Sequence, residues 1–368
     1  MSDKKITFLI NSLGGGGAEN VCAILANGLA KSGWKITLIV LHLEHSIHHK
    51  QLDNTIDIVV LEKQHSRTAL ISLIKHILKS RPNKFLVFNH QLAICLVLAR
   101  ILLREDFAII SRNISTLSEA RKIQGSFWHK HAVDYILKLF YSKVNRIIAQ
   151  SHDMRKDLTD YYSINPSKIV VIPNPINPGI DEHRMKNIND VDNKRDYLLC
   201  VGRLEPAKAF DYAIRAFSII KNDFPHLRLK FVGSGSSEDL LRANARALKV
   251  EHLVDFEGFQ LNTSPYYANA KATILTSLYE GFPNVLIESI AHGTPVIAFD
   301  CKSGPNEIIE ENVNGHLVRY QDEPHLAKAM RQAAGRDWDA STVCATAARY
   351  SPEPILSRYA EEISNLTA

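Results

Sequence analysis

The sequence has no apolar run long enough to cross a bilayer. Its longest, residues 92–103, is broken by Arg100 and falls short of the ~20 residues a spanning helix needs. The apolar stretch at residues 6–10, behind Lys4 and Lys5, is likewise too short for a secretory signal. The expected location is the cytosol. The five cysteines, Cys22, Cys95, Cys200, Cys301 and Cys344, form no CxxC pair and no Cys/His metal spacing, and their neighbours are mostly apolar. That excludes a disulfide scaffold and predicts buried, reduced thiols. No internal repeat or low-complexity tract is present, which excludes a repeat array.

What is present fits a soluble globular chain. Of its 368 residues 45% are hydrophobic and 23% charged, enough for two domains with sizeable cores. The net charge of +5 is unevenly spread. Residues 1–180 carry 23 Lys/Arg and 13 Asp/Glu, a net +10, and the remainder is net −5. A basic first half suits an anionic partner: a membrane surface, a phosphorylated acceptor or nucleic acid.

Short apolar runs alternate with helical patterns along the chain. Strands are predicted at residues 6–11, 35–41, 56–61, 84–88, 107–111 and 146–150, with helices such as 18–32, 68–79 and 131–141 between them. The rhythm resumes with strands at 197–202, 227–233, 254–258, 272–275 and 295–299, and helices at 209–222, 237–248 and 283–292. Alternation of this kind gives parallel sheets covered on both faces. Residues 173–196 are polar, contain Pro173, Pro175 and Pro178, and lack apolar periodicity, as a linker does. Residues 352–366 read as an amphipathic helix. The expected domains are 1–175, a linker at 176–196, 197–350, and a C-terminal helix at 351–368 packing back on the first.

Four constellations bear on chemistry. Gly14-Gly15-Gly16-Gly17 lies between the first strand and its helix, where backbone N–H groups can meet a phosphate. It is neither GxGxxG nor a P-loop, and a bare turn explains it equally well. Gly202-Arg203-Leu204-Glu205-Pro206-Ala207-Lys208 offers two cations around a turn, suited to one diphosphate or simply exposed. Val232-Gly233-Ser234-Gly235 is a second such opening, weak by itself. The strongest is Glu280-Gly281-Phe282-Pro283-Asn284-Val285-Leu286-Ile287-Glu288. Glu288 lies within a helix among apolar neighbours, where a carboxylate can accept hydrogen bonds from vicinal ribose hydroxyls.

The order of these motifs resembles the retaining glycosyltransferases of glycosyltransferase family 4, over nearly the whole chain. The resemblance implies the GT-B fold, two Rossmann-like domains with parallel sheets facing a central cleft. It implies that Arg203 and Lys208 neutralise the departing diphosphate, that Glu280 stands near the donor sugar, and that Glu288 binds ribose. It assigns Gly15, Gly16 and Gly233, with the backbone of Gly281, Phe282 and Asn284, to the donor, and Gly258 and Phe259 to its base. Two positions depart from the family. Asn113 stands where many members have a histidine, leaving Arg112, Asn113 and His90 as candidates for acceptor or sugar contacts. Ala209 replaces the usual glycine after the lysine.

The implied activity is transfer of a hexose or N-acetylhexosamine from a nucleotide sugar, UDP-linked by the Glu-Gly-Phe-Pro-Asn form, to a glycan or polyprenyl-diphosphate-linked acceptor. The setting is surface polysaccharide assembly, at the inner face of the cell membrane. A nucleotide-sugar epimerase and a non-catalytic subunit are the alternatives. Neither cofactor nor metal is expected: Asp190-Val191-Asp192 resembles a metal motif but lies in the polar linker. Nucleic acid is not an expected partner, since no recognised motif accompanies the basic residues. Residues 121–146 interleave Lys, Arg and His with Phe127, Trp128, Tyr135 and Phe140, a pattern suited to anionic lipid or to a half-buried helix.

Overall fold

The computed structural model describes residues 4–44, 46–119, 135–180 and 196–366. The Asp190–Asp192 motif and most of the basic, aromatic stretch, including Phe127 and Trp128, lie outside the described residues. The chain divides into two compact units, Met1–Pro175 with Pro352–Ala368, and Ile176–Ser351.

The first unit is built on a seven-stranded parallel sheet. Its strands are β1 (Lys5–Ile10), β2 (Lys35–Val40), β3 (Asp57–Val60), β4 (Lys84–Val87), β5 (Ala108–Arg112), β6 (Arg146–Ala149) and β7 (Ile169–Val171). They lie in the order β3-β2-β1-β4-β5-β6-β7. Burial on both faces explains why β1 and β5 are nearly continuous apolar runs rather than alternating ones. One face is covered by helices including Leu70–Ser80 and His90–Leu103, the other by Gly17–Lys31 and the C-terminal helix Pro352–Asn365. Ile355, Tyr359 and Ile363 of that last helix join the same core as Phe8 and Leu25. Gly28 allows the approach, because a Cβ there would stand 2.4 Å from Leu356 Cδ1. Arg146–Glu362 at 2.8 Å and Arg358 donating to the Val171 carbonyl at 2.5 Å fasten the helix further.

The second unit holds six parallel strands, β8 (Tyr197–Val201), β9 (Arg228–Val232), β10 (Val254–Phe256), β11 (Ala272–Leu275), β12 (Val296–Phe299) and β13 (Gly315–Val318). Their order is β10-β9-β8-β11-β12-β13. Ile176 and Ile180, which the sequence places in a linker, are buried here with Phe282, Leu286 and Tyr350. Two strands escape sequence reading, β7 and β13. Each is three or four residues long, too short to show a period, and the ladder to its neighbour decides it. Among the described residues no helix is long and apolar enough to cross a membrane. All five cysteines are buried and free.

Candidate functional site

In the second unit the chain order reverses between β8 and β11, the switch point outside which open α/β sheets bind ligands. The loops at the carboxyl ends of five adjacent strands are laced together there. After β8, Gly202 takes φ +145°, and after β9, Gly233 takes φ +143°. Side chains are excluded at Gly233, where a Cβ would meet the Gly202 carbonyl oxygen at 1.9 Å. Leu204 N donates to Ser234 O at 3.0 Å, and Ser237 N to Leu204 O at 2.8 Å. Gly233 N donates to Gly258 O, after β10, at 2.8 Å.

The turn carrying Lys208 is held from the other side. Pro206–Lys208 is a single 3-10 turn, closed by Ala209 in the left-handed region at φ +45°. Glycine adopts that conformation freely, whereas alanine costs about 1–2 kcal/mol in it. Thr276, just after β11, donates its hydroxyl to the Lys208 carbonyl at 2.9 Å, and Leu278 N donates to Ala207 O at 2.9 Å. Lys208 Nζ then reaches Glu280 Oε1 at 2.6 Å, and the Ser277 hydroxyl donates to the same oxygen at 2.6 Å. Arg203 is exposed. The half-buried Tyr279 phenol is pushed up by burial and by Glu280, while Arg203 and Lys208 pull it down, so these four groups share one neighbourhood.

The loop after β12 completes the lacing. Glu280 N donates to Lys302 O at 3.3 Å, and the buried Ser303 hydroxyl donates to Gly281 O at 2.7 Å. The Phe282 ring packs edge-on against Tyr350, centroids 5.7 Å apart, so its side chain belongs to the core. The helix Asn284–Ala291 begins here, with no side-chain cap, and carries Glu288. Burial pushes the Glu288 carboxyl up to about 7, opposed by a hydrogen bond from the Tyr267 hydroxyl at 3.1 Å. Gly258 has φ +68°, and Phe259 beside it is 52% exposed, open to a planar ligand.

These elements match two family models. The one described as Glycosyl transferases group 1 covers residues 181–349, and the one described as Glycosyltransferase Family 4 covers residues 15–179. The chain is a glycosyltransferase of the family 4 type, with the GT-B fold. The transferase is 27% identical over 371 residues to the amylovoran biosynthesis glycosyltransferase AmsD of Erwinia amylovora, spanning 96% of this chain and 98% of that one. Over 197 residues, 54% of this chain and 53% of the other, it is 32% identical to a Campylobacter jejuni enzyme. That relative is named N-acetylgalactosamine-N,N'-diacetylbacillosaminyl-diphospho-undecaprenol 4-alpha-N-acetylgalactosaminyltransferase. The crystal structure of Anabaena HepE in complex with UDP-glucose aligns with TM-score 0.77 at 19% identity, covering 98% of this chain and all of that one.

The transferase's first unit has its own switch point, between β1 and β4. The four-glycine loop follows β1, and Asn89 and His90 follow β4, with Asn89 donating to the Asn11 side chain at 3.2 Å. Gly15 is exposed. Gly16 caps the helix Gly17–Lys31 with extended backbone, and the Glu19 carboxylate lies against it. His90 stands edge-on to Tyr141, and burial pushes its imidazole down to about 4, so it is neutral at pH 7. Arg112 and Asn113 are both buried. Arg112 is 2% exposed, lies over the Phe88 ring and donates through one terminal nitrogen to Asn174 Oδ1 at 2.5 Å. Asn113 is fully buried, with its amide donating to the Ser115 carbonyl at 3.1 Å. Sequence reading also missed Ser277, Ser303 and Tyr267. Hydroxyls that serve by holding another residue's carboxylate or carbonyl leave no spacing signal, although Ser277 stands only three residues before Glu280.

Proposed function

We propose that this chain is a retaining glycosyltransferase that moves a hexose or N-acetylhexosamine from a UDP-sugar to a polyprenyl-diphosphate-linked or glycan acceptor in surface polysaccharide assembly. The observation that carries the reading is the Lys208–Glu280 pair at the β8/β11 switch point, with Glu288 on the helix that follows. The names of the Campylobacter and Erwinia relatives support the acceptor class and setting. The Glu-Gly-Phe-Pro-Asn form, and a neighbour of the same fold that holds UDP-glucose, support a uridine donor.

In this reading the anomeric C1–O bond to the diphosphate breaks while the acceptor oxygen bonds C1 on the same face. The acceptor's proton passes to the departing diphosphate, so no protein nucleophile is needed. Arg203 and Lys208 meet the developing charge, and Lys208, held by Glu280, does so as a fixed cation that needs no reorganisation and no metal. Glu288 takes the ribose hydroxyls, and backbone groups of Gly281, Phe282 and Asn284 take sugar or phosphate oxygens. Gly233 approaches the diphosphate, and Gly258 and Phe259 the base.

The test is a panel of UDP-GalNAc, UDP-GlcNAc, UDP-Gal, UDP-Glc and GDP-mannose, read by thermal shift and slow donor hydrolysis in excess chelator. One UDP-sugar is expected to stabilise the protein and to be hydrolysed, with both effects lost in Glu288→Ala. Silence toward every UDP-sugar, or dependence on added metal, would overturn this reading.

The same reading places the chain at an anionic membrane. The helix Leu70–Ser80 exposes Ile71 and Leu78 beside Lys75 and Lys79, and Ile101 and Leu102 are exposed on the helix His90–Leu103. Tyr135, Ile136 and Leu139 are exposed as well, alongside Lys138. Apolar side chains interleaved with cations suit a lipid interface. Co-flotation with anionic liposomes at low salt is expected, with a large loss in Ile71→Asp/Leu78→Asp. No flotation at low salt would remove the membrane from the proposal.

A further inference from the structure

Glu288 lies on one short helix, and what fixes its carboxylate comes from another. The helix Ser264–Asn269 brings Tyr267, whose ring is fully buried. Its hydroxyl donates to Glu288 Oε2 at 3.1 Å. Both its ring and its backbone are held. It stacks on His292, centroids 5.5 Å apart at 22°, and the Thr294 hydroxyl donates to the Tyr267 carbonyl at 2.7 Å. His292 is itself fixed, its Nδ1 lying 2.7 Å from the Glu288 carbonyl oxygen. The phenol is pushed well above its ordinary range by burial, then by Glu288, so it remains protonated and acts here only as a donor.

We propose that Tyr267 is a positioning residue for the nucleotide: its hydroxyl holds Oε2 of Glu288 so that Oε1 is aimed at the vicinal hydroxyls of the donor's ribose. The inference rests on the reading of Glu288 given under Proposed function. An ionised carboxylate accepts hydroxyl donors more strongly and at more sites than the protonated acid, and Tyr267 is the group that favours the charged form against burial. The other elements packed against the Glu288 helix bring Glu307 from Pro305–Ile308 and Cys344 from Ala340–Ala345, while β11 and β12 bring no titratable group. Tyr266 shares the helix of Tyr267, and its hydroxyl is directed to Glu257 instead. Among the described residues, Tyr267 is therefore the side chain that sets how readily Glu288 ionises.

The consequence is a pH-dependent nucleotide affinity with a defined sign. Below about 7 Glu288 takes up a proton and loses acceptor capacity, so UDP affinity falls as pH drops. Removing the Tyr267 hydroxyl moves this fall to higher pH, by about one unit for a hydrogen bond to a charged group. The experiment titrates UDP into the wild type, Tyr267→Phe and Glu288→Gln from pH 5.5 to 9. Tyr267→Phe is expected to weaken UDP about fivefold at pH 7 and to recover most of the loss by pH 9. In donor hydrolysis it raises KM while leaving kcat within about twofold. Glu288→Gln is expected to bind weakly with no pH dependence in this range. A Tyr267→Phe profile parallel to the wild type, whether weaker or not, would overturn the proposal and leave Tyr267 a packing residue.

A readout without nucleotide separates this from failure of the donor reading. A carboxyl raised by folding stabilises the folded state below its ordinary range, and that stability is lost as pH rises toward 7. Wild-type thermal stability should carry this loss, Tyr267→Phe should extend it above pH 7, and Glu288→Gln should abolish it. If that pattern appears while no UDP binds, the Tyr267–Glu288 coupling stands and the donor assignment falls. If UDP binds but the pattern is absent, the coupling falls.

Discussion

Alanine at Lys208 is expected to cut sugar transfer on the order of 10²–10³-fold while the protein stays folded, the scale for removing one preorganised electrostatic partner of a transition state. The physical case begins with what holds the ammonium. The carbonyl of Lys208 is anchored by Thr276 and its Nζ by Glu280, so the charge is fixed before any donor arrives. A fixed charge helps a departing diphosphate more than a mobile one, because no reorganisation accompanies the reaction. The Ser277 hydroxyl still meets Glu280 in the variant, which limits the cost of leaving that half-buried carboxylate without its cation. Steady-state kinetics with the donor found in the panel, beside a thermal melt, makes the check. Wild-type kcat in a folded Lys208→Ala protein would remove Lys208 from the chemistry and sink the mechanism proposed here.

Gly233→Ala is expected to produce the largest structural effect of any single methyl group in the second unit's site. Its Cβ would stand 1.9 Å from the Gly202 carbonyl oxygen, and backbone cannot swing aside as a side-chain tip can. The residue also sits at φ +143°, strained for any L side chain. Overpacking costs about 1–3 kcal/mol, and the strain adds a further ~1–2 kcal/mol. The loop after β8 must therefore separate from the loop after β9, breaking the Leu204–Ser234 hydrogen bond and displacing Arg203. The expected result is a thermal midpoint lowered by roughly 8 °C or more, with the donor-induced thermal shift lost. Gly258→Ala is the control: its φ of +68° also strains a side chain, but a Cβ there meets nothing within 4 Å. Equal destabilisation by the two would show that the close approach at Gly202 is not what matters.

Much of the architecture is legible in the residues. Apolar runs such as residues 35–41 and 227–233 lie between helical patterns, and two parallel sheets follow from that alternation. The chemistry-bearing motifs are legible for a related reason: Arg203, Lys208, Glu280 and Glu288 all fall just after a strand or on the helix that follows one. What the residues did not reveal is where a side chain ends up when its motif offers a choice. Arg112 is the last residue of β5, yet its guanidinium turns inward to Phe88 and Asn174. Phe282 lies in the most informative motif of the chain, yet its ring joins the core.

The sequence by itself determined the types and order of the longer elements, and which polar residues stand at the carboxyl ends of strands. Local propensity and periodicity act within ten or fifteen residues, and these features are local. Only the tertiary structure decided that β8 lies beside β11 and β1 beside β4, and so where the chain order reverses in each sheet. The same nonlocal pairing brought Lys208 to Glu280 across 72 residues and Tyr267 to Glu288 across 21. Neighbouring strands of a parallel sheet are joined by long crossovers, so their contacts depend on how whole layers pack, which no window of sequence contains.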